Sequence, residues 1–271
     1  MGNNKISVII ITLNEERYVE RLLKKLSNDN EIELIVSDGG SIDRTARAAK
    51  RYTEKVVVGE RGRGVQLNAG AALASGDILW FLHADSIPPD DYKDHIITTM
   101  GMSGVAGGAF KLAIDSDLSS LKTISMVAGL RSKLTRIPFG DQGVFVRKET
   151  FDRLNGFKDI PLMEDIDFGR RLKKEGRVVL LPSGIKTCSR KWEQEGILKT
   201  TLRNWGYITL FSMGYSPHKL YQRYYRRHLY LTMQREMIRK RKGWSRIMQH
   251  WNWRNNHKIQ QDEHQDENPG G

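Results

Sequence analysis

Apolar residues in the first hundred positions fall into short unbroken runs, separated by stretches in which they recur at helical spacing. Ile6-Ser7-Val8-Ile9-Ile10-Ile11 is nearly continuous and β-branched, the pattern of a strand covered on both faces in a parallel sheet. Tyr18, Leu22, Leu23 and Leu26 then keep a helical period. Ile32 to Val36 predicts a second strand, with a helix from Asp43 toward Arg51 behind it. Val56 to Val58 predicts a third strand, Val65 to Ser75 a small-residue helix, and Ile78 to Leu82 a fourth strand. Further on, Val105 to Ala113 reads as a strand in which Gly107-Gly108 permits close approach, and Leu118 to Leu134 as an amphipathic helix. Phe139 to Val146 reads as a polar loop entering a strand, and Val178 to Pro182 as a last strand. Strands alternating with helices of this length predict right-handed βαβ units: an α/β fold with a doubly wound, mostly parallel central sheet and helices on both faces. Ligands of such sheets gather at the carboxyl ends of the strands.

Charge changes this picture at one end. The 271 residues carry a formal net charge of +12, yet Lys219 to Arg246 holds ten Lys and Arg against the single acid Glu236, so most of the excess belongs to that segment. There Leu220, Tyr224, Leu231 and Ile238 lie near one helical stripe. The expected division is a domain over 1–215, a basic amphipathic helical extension over 216–250, and a polar tail over 251–271 that is expected to be disordered. A basic amphipathic helix with aromatics suits contact with an anionic membrane surface. Packing of the stripe on the domain, with the cations in solvent, is the open alternative. A single cysteine, Cys188, excludes an internal disulfide framework and fits a reducing compartment. The run Ile6 to Leu13 is followed by no small-residue cleavage pattern, and Trp205 to Tyr215 is too short to span a bilayer, which needs roughly 20 residues. The expected location is cytoplasmic, with peripheral contact at the inner face of the cell membrane.

Polar residues concentrate at the predicted strand ends. Asp38 directly follows the second strand, where it is placed to accept hydrogen bonds from a base edge, while Thr12 and Glu15 at the neighbouring end hold the rest of a nucleoside. A tight β-to-α turn capped by Ser41 or Asp43 explains Asp38-Gly39-Gly40-Ser41 as well. Glu60 to Asn68 offers the guanidiniums of Arg61 and Arg63 at a helix N-terminus, suited to phosphate and equally to a solvated surface. Asp85, after the fourth strand, is a hard oxygen ligand for Mg2+ or Mn2+ bridging to a diphosphate, or simply opens a turn before Pro88-Pro89. Asp141 and Gln142 stand in a polar loop that a plain turn also explains. The cations of Ser189-Arg190-Lys191-Trp192 suit an anionic ligand; a surface cluster is the alternative. Finally, Glu164 and Asp165 stand side by side before Phe168-Gly169-Arg170-Arg171-Leu172. Acids there satisfy helix amides and the macrodipole, but two adjacent carboxylates near a pocket also repel, so one is expected to have a raised pKa.

Thr12-Leu13-Asn14-Glu15, Asp38-Gly39-Gly40-Ser41-Ile42-Asp43-Arg44-Thr45, His83-Ala84-Asp85 and Glu164-Asp165, in this order, resemble the family 2 glycosyltransferases of the GT-A fold. Arg61-Gly62-Arg63, Gln66-Leu67-Asn68-Ala69-Gly70, Phe139-Gly140-Asp141-Gln142-Gly143 and Leu162-Met163-Glu164-Asp165 are similar to a bacterial subgroup named for radical-SAM and selenodomain neighbours. The resemblance covers about residues 5 to 215. It implies that Thr12, Asn14, Glu15, Asp38, Gly39, Ser41, Arg61, Arg63, Gln66, Asn68 and His83 bind the nucleotide, with Asp38 on the base, usually uracil. It further implies that Asp85 is the metal ligand and Asp165 the catalytic base, that Asp141 and Gln142 are candidates for sugar hydroxyls, and that the cations of Ser189 to Trp192 close over the diphosphate, with Arg190 and Trp192 on the acceptor or sugar. His83 departs from the family by replacing the first aspartate of its DxD motif, and an imidazole there is expected to reach a ribose hydroxyl.

The implied reaction is an inverting transfer of a sugar from a nucleotide-diphosphate sugar, UDP-linked, to an acceptor hydroxyl, with Mn2+ or Mg2+. Glu164 either positions Asp165 or contacts acceptor or sugar. A sugar-nucleotide pyrophosphorylase shares the architecture but wants a glycine-rich first loop with Arg and Lys, which Thr12-Leu13-Asn14-Glu15 does not supply. A nucleic-acid-binding protein using the basic segment leaves Asp38, Asp85 and Asp165 unexplained, because acids lining a cleft repel phosphate. No nucleic-acid partner is expected.

Overall fold

The computed structural model describes residues 4–115, 135, 137–188 and 197–224. Their elements, in chain order, are β1 (Ile6–Thr12), α1 (Glu16–Leu26), β2 (Ile32–Asp38), α2 (Thr45–Ala49), β3 (Val56–Val58), α3 (Arg63–Ala72), β4 (Ile78–His83), α4 (Tyr92–Met100) and β5 (Val105–Asp115). A 3-10 turn (Gly140–Gln142) leads into β6 (Phe145–Arg147), α5 (Lys148–Arg153), α6 (Glu164–Glu175), β7 (Arg177–Cys188), α7 (Ile197–Ser212) and α8 (Pro217–Tyr224). The predicted amphipathic helix over Leu118 to Leu134 lies outside the described residues.

The strands form one sheet of order β3-β2-β1-β4-β6-β5-β7. β1 pairs in parallel with β2 and β4, and β5 in parallel with β7, whereas β6 runs antiparallel between β4 and β5. The mostly parallel α/β sheet read from the sequence is therefore present, with one reversed strand inside it. That reversal matters for the site: Phe145 of β6 pairs with Trp80 of β4, so the residues entering β6 lie at the carboxyl edge of the parallel strands.

Two apolar layers account for the continuous runs. Val8 and Ile10 of β1, with Trp80 and Leu82 of β4, face a layer completed by Leu22, Leu23 and Leu26 of α1. Ile9 and Ile11, with Leu79 and Phe81, face the opposite layer of Leu67, Phe168 and Leu172. A strand buried on both faces has no polar side to show, so its sequence does not alternate. Gly70 of α3 is required here, because a Cβ at that position would stand 2.4 Å from Ile9 Cγ2.

The largest departure from an expected strand boundary is in β7. β7 does not stop at Pro182 but continues to Cys188. Leu181 pairs with Phe110 and Gly184 with Lys111, so Pro182 and Ser183 are accommodated in a bulge on an edge strand, where a missing N–H costs no ladder bond. Contacts divide the chain at Tyr221, and of the second unit only Gln222 to Tyr224 are described. Among the described residues no helix is long and apolar enough to cross a membrane.

Candidate active site

The register of the sheet brings the sequence-predicted residues to one edge. Thr12 pairs with Asp38, and Ile11 with His83, so the ends of β1, β2 and β4 are level. Asp38 is fully buried and accepts four hydrogen bonds. Oδ1 takes the backbone amides of Gly40 (3.0 Å) and Ser41 (2.7 Å), and Oδ2 takes the hydroxyls of Thr12 (2.8 Å) and Ser41 (2.5 Å). The carboxylate is thus the keystone of its own loop, and the tight-turn alternative describes the geometry it adopts here. Asn14 sits in the left-handed region at φ 55°, which asparagine tolerates. Its amide donates to Ser41 Oγ at 2.8 Å and its side-chain oxygen accepts from Ile42 at 2.9 Å, stitching the first loop to the second. The amide of Glu15 donates to Thr45 Oγ1 at 2.8 Å.

Gln66 and Asn68 of α3 point inward. Gln66 is buried and its Nε2 donates to the carbonyls of Thr12 (2.8 Å) and Ser37 (3.0 Å), tying α3 to the ends of β1 and β2. Gly39 is needed beside it, since a Cβ there would lie 2.9 Å from Gln66 Oε1. Asn68 exchanges two hydrogen bonds with the backbone of Phe157, at 2.8 and 2.9 Å. At the head of α3, Arg61 is exposed, while Arg63 turns back to Glu164: Nε to Oε1 is 2.8 Å and Nη2 to Oε2 is 3.4 Å.

The paired acids lie inside the first turn of α6, not ahead of it. Met163, immediately before, is held at φ 70°, an uncommon conformation for a side chain of its size. The reversal buries Glu164, whose side chain is 3 % exposed, and leaves Asp165 half-buried. Asp165 Oδ2 accepts the amide of Gly140 and Oδ1 the amide of Ile166, each at 2.8 Å. The helix-terminus role is therefore real, and it also aims the carboxylate. Gly140 lies between two functional groups: a Cβ there would stand 3.2 Å from His83 Nε2 and 3.4 Å from Asp165 Oδ2. A small cavity of about 10 Å³ is lined by His83, Gly140, Glu164 and Asp165 with Phe81, Phe157 and Phe168.

One of the two adjacent carboxylates has a raised pKa, as the sequence led one to expect, but burial contributes more to it than their repulsion. The raised pKa falls on Glu164, pushed up to about 7 by burial first, with the Asp165 charge adding and Arg63 opposing. Burial, reinforced by the Arg63 charge and opposed by Asp165, lowers His83 to about 4, so its imidazole is neutral near pH 7. Because folded Glu164 holds its proton more tightly than an ordinary carboxyl at 4.5, its contribution to stability is fully present below that pH. It is lost as pH rises through about 7. In Glu164→Gln the group no longer titrates. The melting temperature of the variant relative to wild type is expected to climb by about 5 °C between pH 5 and pH 8. Scanning calorimetry at several pH values checks this, and a constant difference would remove Glu164 as a titrating group.

Of the sugar candidates, Asp141 lies in the 3-10 turn beside Gly140. Gln142 is fully buried; Nε2 donates to the Phe110 carbonyl at 3.1 Å and Oε1 accepts from the Phe139 amide at 2.8 Å, so both ends of its amide are engaged within the fold. Arg190 and Trp192 lie outside the described residues.

With this edge described, comparison with known proteins is decisive. The model for glycosyl transferase family 2 matches residues 7–150, more than half of the chain. The chain belongs to glycosyl transferase family 2. An uncharacterized glycosyltransferase of Nostoc sp. is 30 % identical over 112 residues, 38 % of this chain and 35 % of that protein. The beta-monoglucosyldiacylglycerol synthase of the same organism is 24 % identical over 244 residues, 77 % of this chain and 52 % of that protein. The chain thus spans about half the length or less of these relatives. Among solved structures, a mannosyltransferase of Pyrobaculum calidifontis in complex with GDP-Man and Mn2+ is similar with TM-score 0.55 and 21 % identity, covering 67 % of this chain and 56 % of that one. TarS of S. aureus in complex with UDP-GlcNAc follows at TM-score 0.53 and 19 % identity, over 68 % and 58 %. These structures share the GT-A fold of the family.

A family 2 glycosyltransferase raises the question of a divalent ion. Among the described residues no group of three or more His, Cys, Asp or Glu could hold one. Asp85 stands in the turn after β4 and lines a cavity of about 100 Å³ with Tyr18, Arg21, Ser86, Thr187 and Cys188. His83, two residues earlier, lines the other cavity with Asp165. One carboxylate fits an ion that takes its remaining oxygens from a diphosphate and water, which is how Mg2+ is commonly held at phosphate sites. Two features of this edge carried no signal in the sequence. The Arg63–Glu164 pair joins residues 101 apart. The amide of Gly140, rather than the side chains of Asp141 or Gln142, is what meets Asp165, and only the glycine itself hinted at a close approach.

Proposed function

We propose that the chain is an inverting glycosyltransferase, moving a sugar from a UDP-linked donor to an acceptor hydroxyl. The observation that carries this reading is Asp165, a half-buried carboxylate with one lone pair on each oxygen fixed by a backbone amide, at the carboxyl edge of a family 2 fold. The acceptor hydroxyl loses its proton to Asp165 as its oxygen attacks the anomeric carbon, and the bond from that carbon to the diphosphate breaks on the opposite face. Thr12, Asn14, Glu15, Asp38, Gly39 and Ser41 shape the nucleoside pocket. Asp38, engaged as it is, does so by holding the loop that meets the base. Gln66 and Asn68 support that pocket from α3, and neutral His83 is free to hydrogen-bond a ribose hydroxyl. Arg61 and Arg63 face the diphosphate, Arg63 exchanging Glu164 for phosphate when donor enters. Asp141, Gln142, Arg190 and Trp192 belong to the sugar and acceptor side, with Gln142 acting through the turn it holds.

Asp85 is the residue that would hold Mn2+ or Mg2+, which when bound offsets charge on the leaving diphosphate. The acceptor is a lipid or a membrane-associated molecule, reached from the cytoplasmic face, a reading supported by the similarity to beta-monoglucosyldiacylglycerol synthase. The loop motifs Arg61-Gly62-Arg63 and Leu162-Met163-Glu164-Asp165 support the further reading of the chain as a member of the radical-SAM and selenodomain-associated subgroup.

A screen of nucleotide sugars by calorimetry and by nucleotide release, with and without Mn2+, tests the reading. A UDP-sugar is expected to bind and to release UDP slowly without acceptor. Asp85→Ala is expected to weaken binding with Mn2+ about tenfold or more while leaving metal-free binding unchanged. Binding of no nucleotide sugar by the folded protein would refute the proposal.

A further inference from the structure

A surface helix normally turns its charged residues outward. α7 does the reverse. Its exposed positions from 202 onward, with the turn that follows, are Leu202, Trp205, Gly206, Thr209, Ser212 and Met213, spaced three and four apart on one face and without a charge among them. Leu202 is 63 % exposed, Trp205 44 % and Met213 72 %, with Tyr215 beside them at 43 %. The two hydroxyls on this face need no water: Thr209 Oγ1 donates to the Trp205 carbonyl at 3.0 Å and Ser212 Oγ to the Ile208 carbonyl at 2.7 Å. A face whose polar groups are already satisfied loses little when water is removed.

α7 is anchored at the edge of this face, through Ser212, and behind it, through Phe211. Arg170 of α6 donates to Ser212 Oγ at 2.7 Å and lies over the Phe211 ring, 5.2 Å from its centroid. This is the same helix whose first turn carries Glu164 and Asp165. Charge decides what the outward face meets. From residue 196 to residue 221 the sequence contains no Asp or Glu and three cations, Lys199, Arg203 and Lys219. The face itself is uncharged, and the cations in the sequence around it weigh against a second copy carrying the same sign and favour a negatively charged lipid surface. Trp and Tyr with aliphatic neighbours suit the headgroup region, where an amphipathic ring keeps its polar edge wet.

We infer that the outward face of α7, formed by Leu202, Trp205 and Met213 with Tyr215, is a docking surface for an anionic lipid bilayer. Insertion of these side chains, rather than charge alone, holds the protein there, and docking sets α6 one helix away from the membrane. The inference deepens the proposed lipid or membrane-associated acceptor, and rests on that reading only for why docking is useful.

The test is flotation of the full chain with vesicles of phosphatidylcholine alone or mixed with phosphatidylglycerol, beside a triple variant carrying Leu202→Ser, Trp205→Ser and Met213→Ser. Wild type is expected to float with the anionic vesicles and not with the neutral ones, and the triple variant to bind them at least about tenfold more weakly. Its melting temperature and its UDP release from donor are expected to match wild type, which separates lost docking from lost folding. Equal binding by the two proteins would assign attachment to the basic segment and overturn the inference, as would failure of wild type to float. Self-association of wild type in sedimentation, abolished in the variant, would make a second copy the occupant and overturn it too. Absence of UDP release from wild type would count against the transferase reading and leave the flotation result standing.

Discussion

Asp165→Asn is expected to bind the nucleotide-diphosphate sugar as wild type does and to lose about 10²- to 10⁴-fold in the rate of transfer, the range associated with removing a general base. The substitution changes little else. Asp165 uses one oxygen for the Gly140 amide and the other for the Ile166 amide. An asparagine keeps one of these acceptors and gives up the second, a cost of about 1 kcal/mol or somewhat more at a half-buried site. What it cannot do is take a proton. Calorimetry of UDP binding with Mn2+, beside transfer kinetics with a competent acceptor, separates the two effects. Unaltered transfer by this variant would shift the base to Glu164, whose carboxyl, pushed up to about 7 by burial, suits proton transfer at neutral pH. Geometry argues against that assignment, because Glu164 is buried and its oxygens face Arg63.

The second large effect is expected at Asp38, where alanine and asparagine should differ sharply. In Asp38→Ala the amides of Gly40 and Ser41 and the hydroxyls of Thr12 and Ser41 all lose their acceptor, the Thr12 hydroxyl in a buried place and the other three in a partly buried one. A buried donor left without a partner costs about 1–3 kcal/mol, so the loop is expected to rearrange, stability to fall by at least about 3 kcal/mol, and nucleotide binding to be lost. Asparagine divides its side chain in the way the site allows. Its oxygen meets the two backbone amides, and its NH2 donates to the two hydroxyls, which rotate to accept. Asp38→Asn is therefore expected to cost about 1 kcal/mol and to keep the loop. Urea unfolding and UDP calorimetry on both variants check this, and equal destabilisation would show that the negative charge, not the hydrogen-bond pattern, holds the loop. If Asp38→Asn folds normally yet fails to bind UDP, a direct charge-assisted contact to the base becomes the better account of Asp38.

Both predictions use residues that were visible before any coordinates, and the reason is the regularity of the fold. A strand buried on two faces must be apolar throughout, so Ile6 to Ile11 and Ile78 to Leu82 announced themselves. The polar residue that ends such a run must then stand at the sheet's carboxyl edge, and this rule alone assembled Thr12, Asp38 and His83. The same reading stopped β7 at Pro182, because a proline breaks a ladder; whether it does depends on having a neighbour on that side, and β7 is an edge strand.

What the sequence determined by itself is what periodicity and local chemistry encode: the α/β class, the strand ends, and the adjacency of Glu164 and Asp165. Only the tertiary structure decided how that adjacency is used. Met163 in the left-handed region turns the head of α6 so that Glu164 is buried and Asp165 faces the edge. Burial then raises Glu164, and Arg63, distant in the chain, becomes its partner. The two acids are equivalent as letters. They differ because desolvation and charge act through space, and the neighbours that supply them come from α3, β4 and the turn at Gly140.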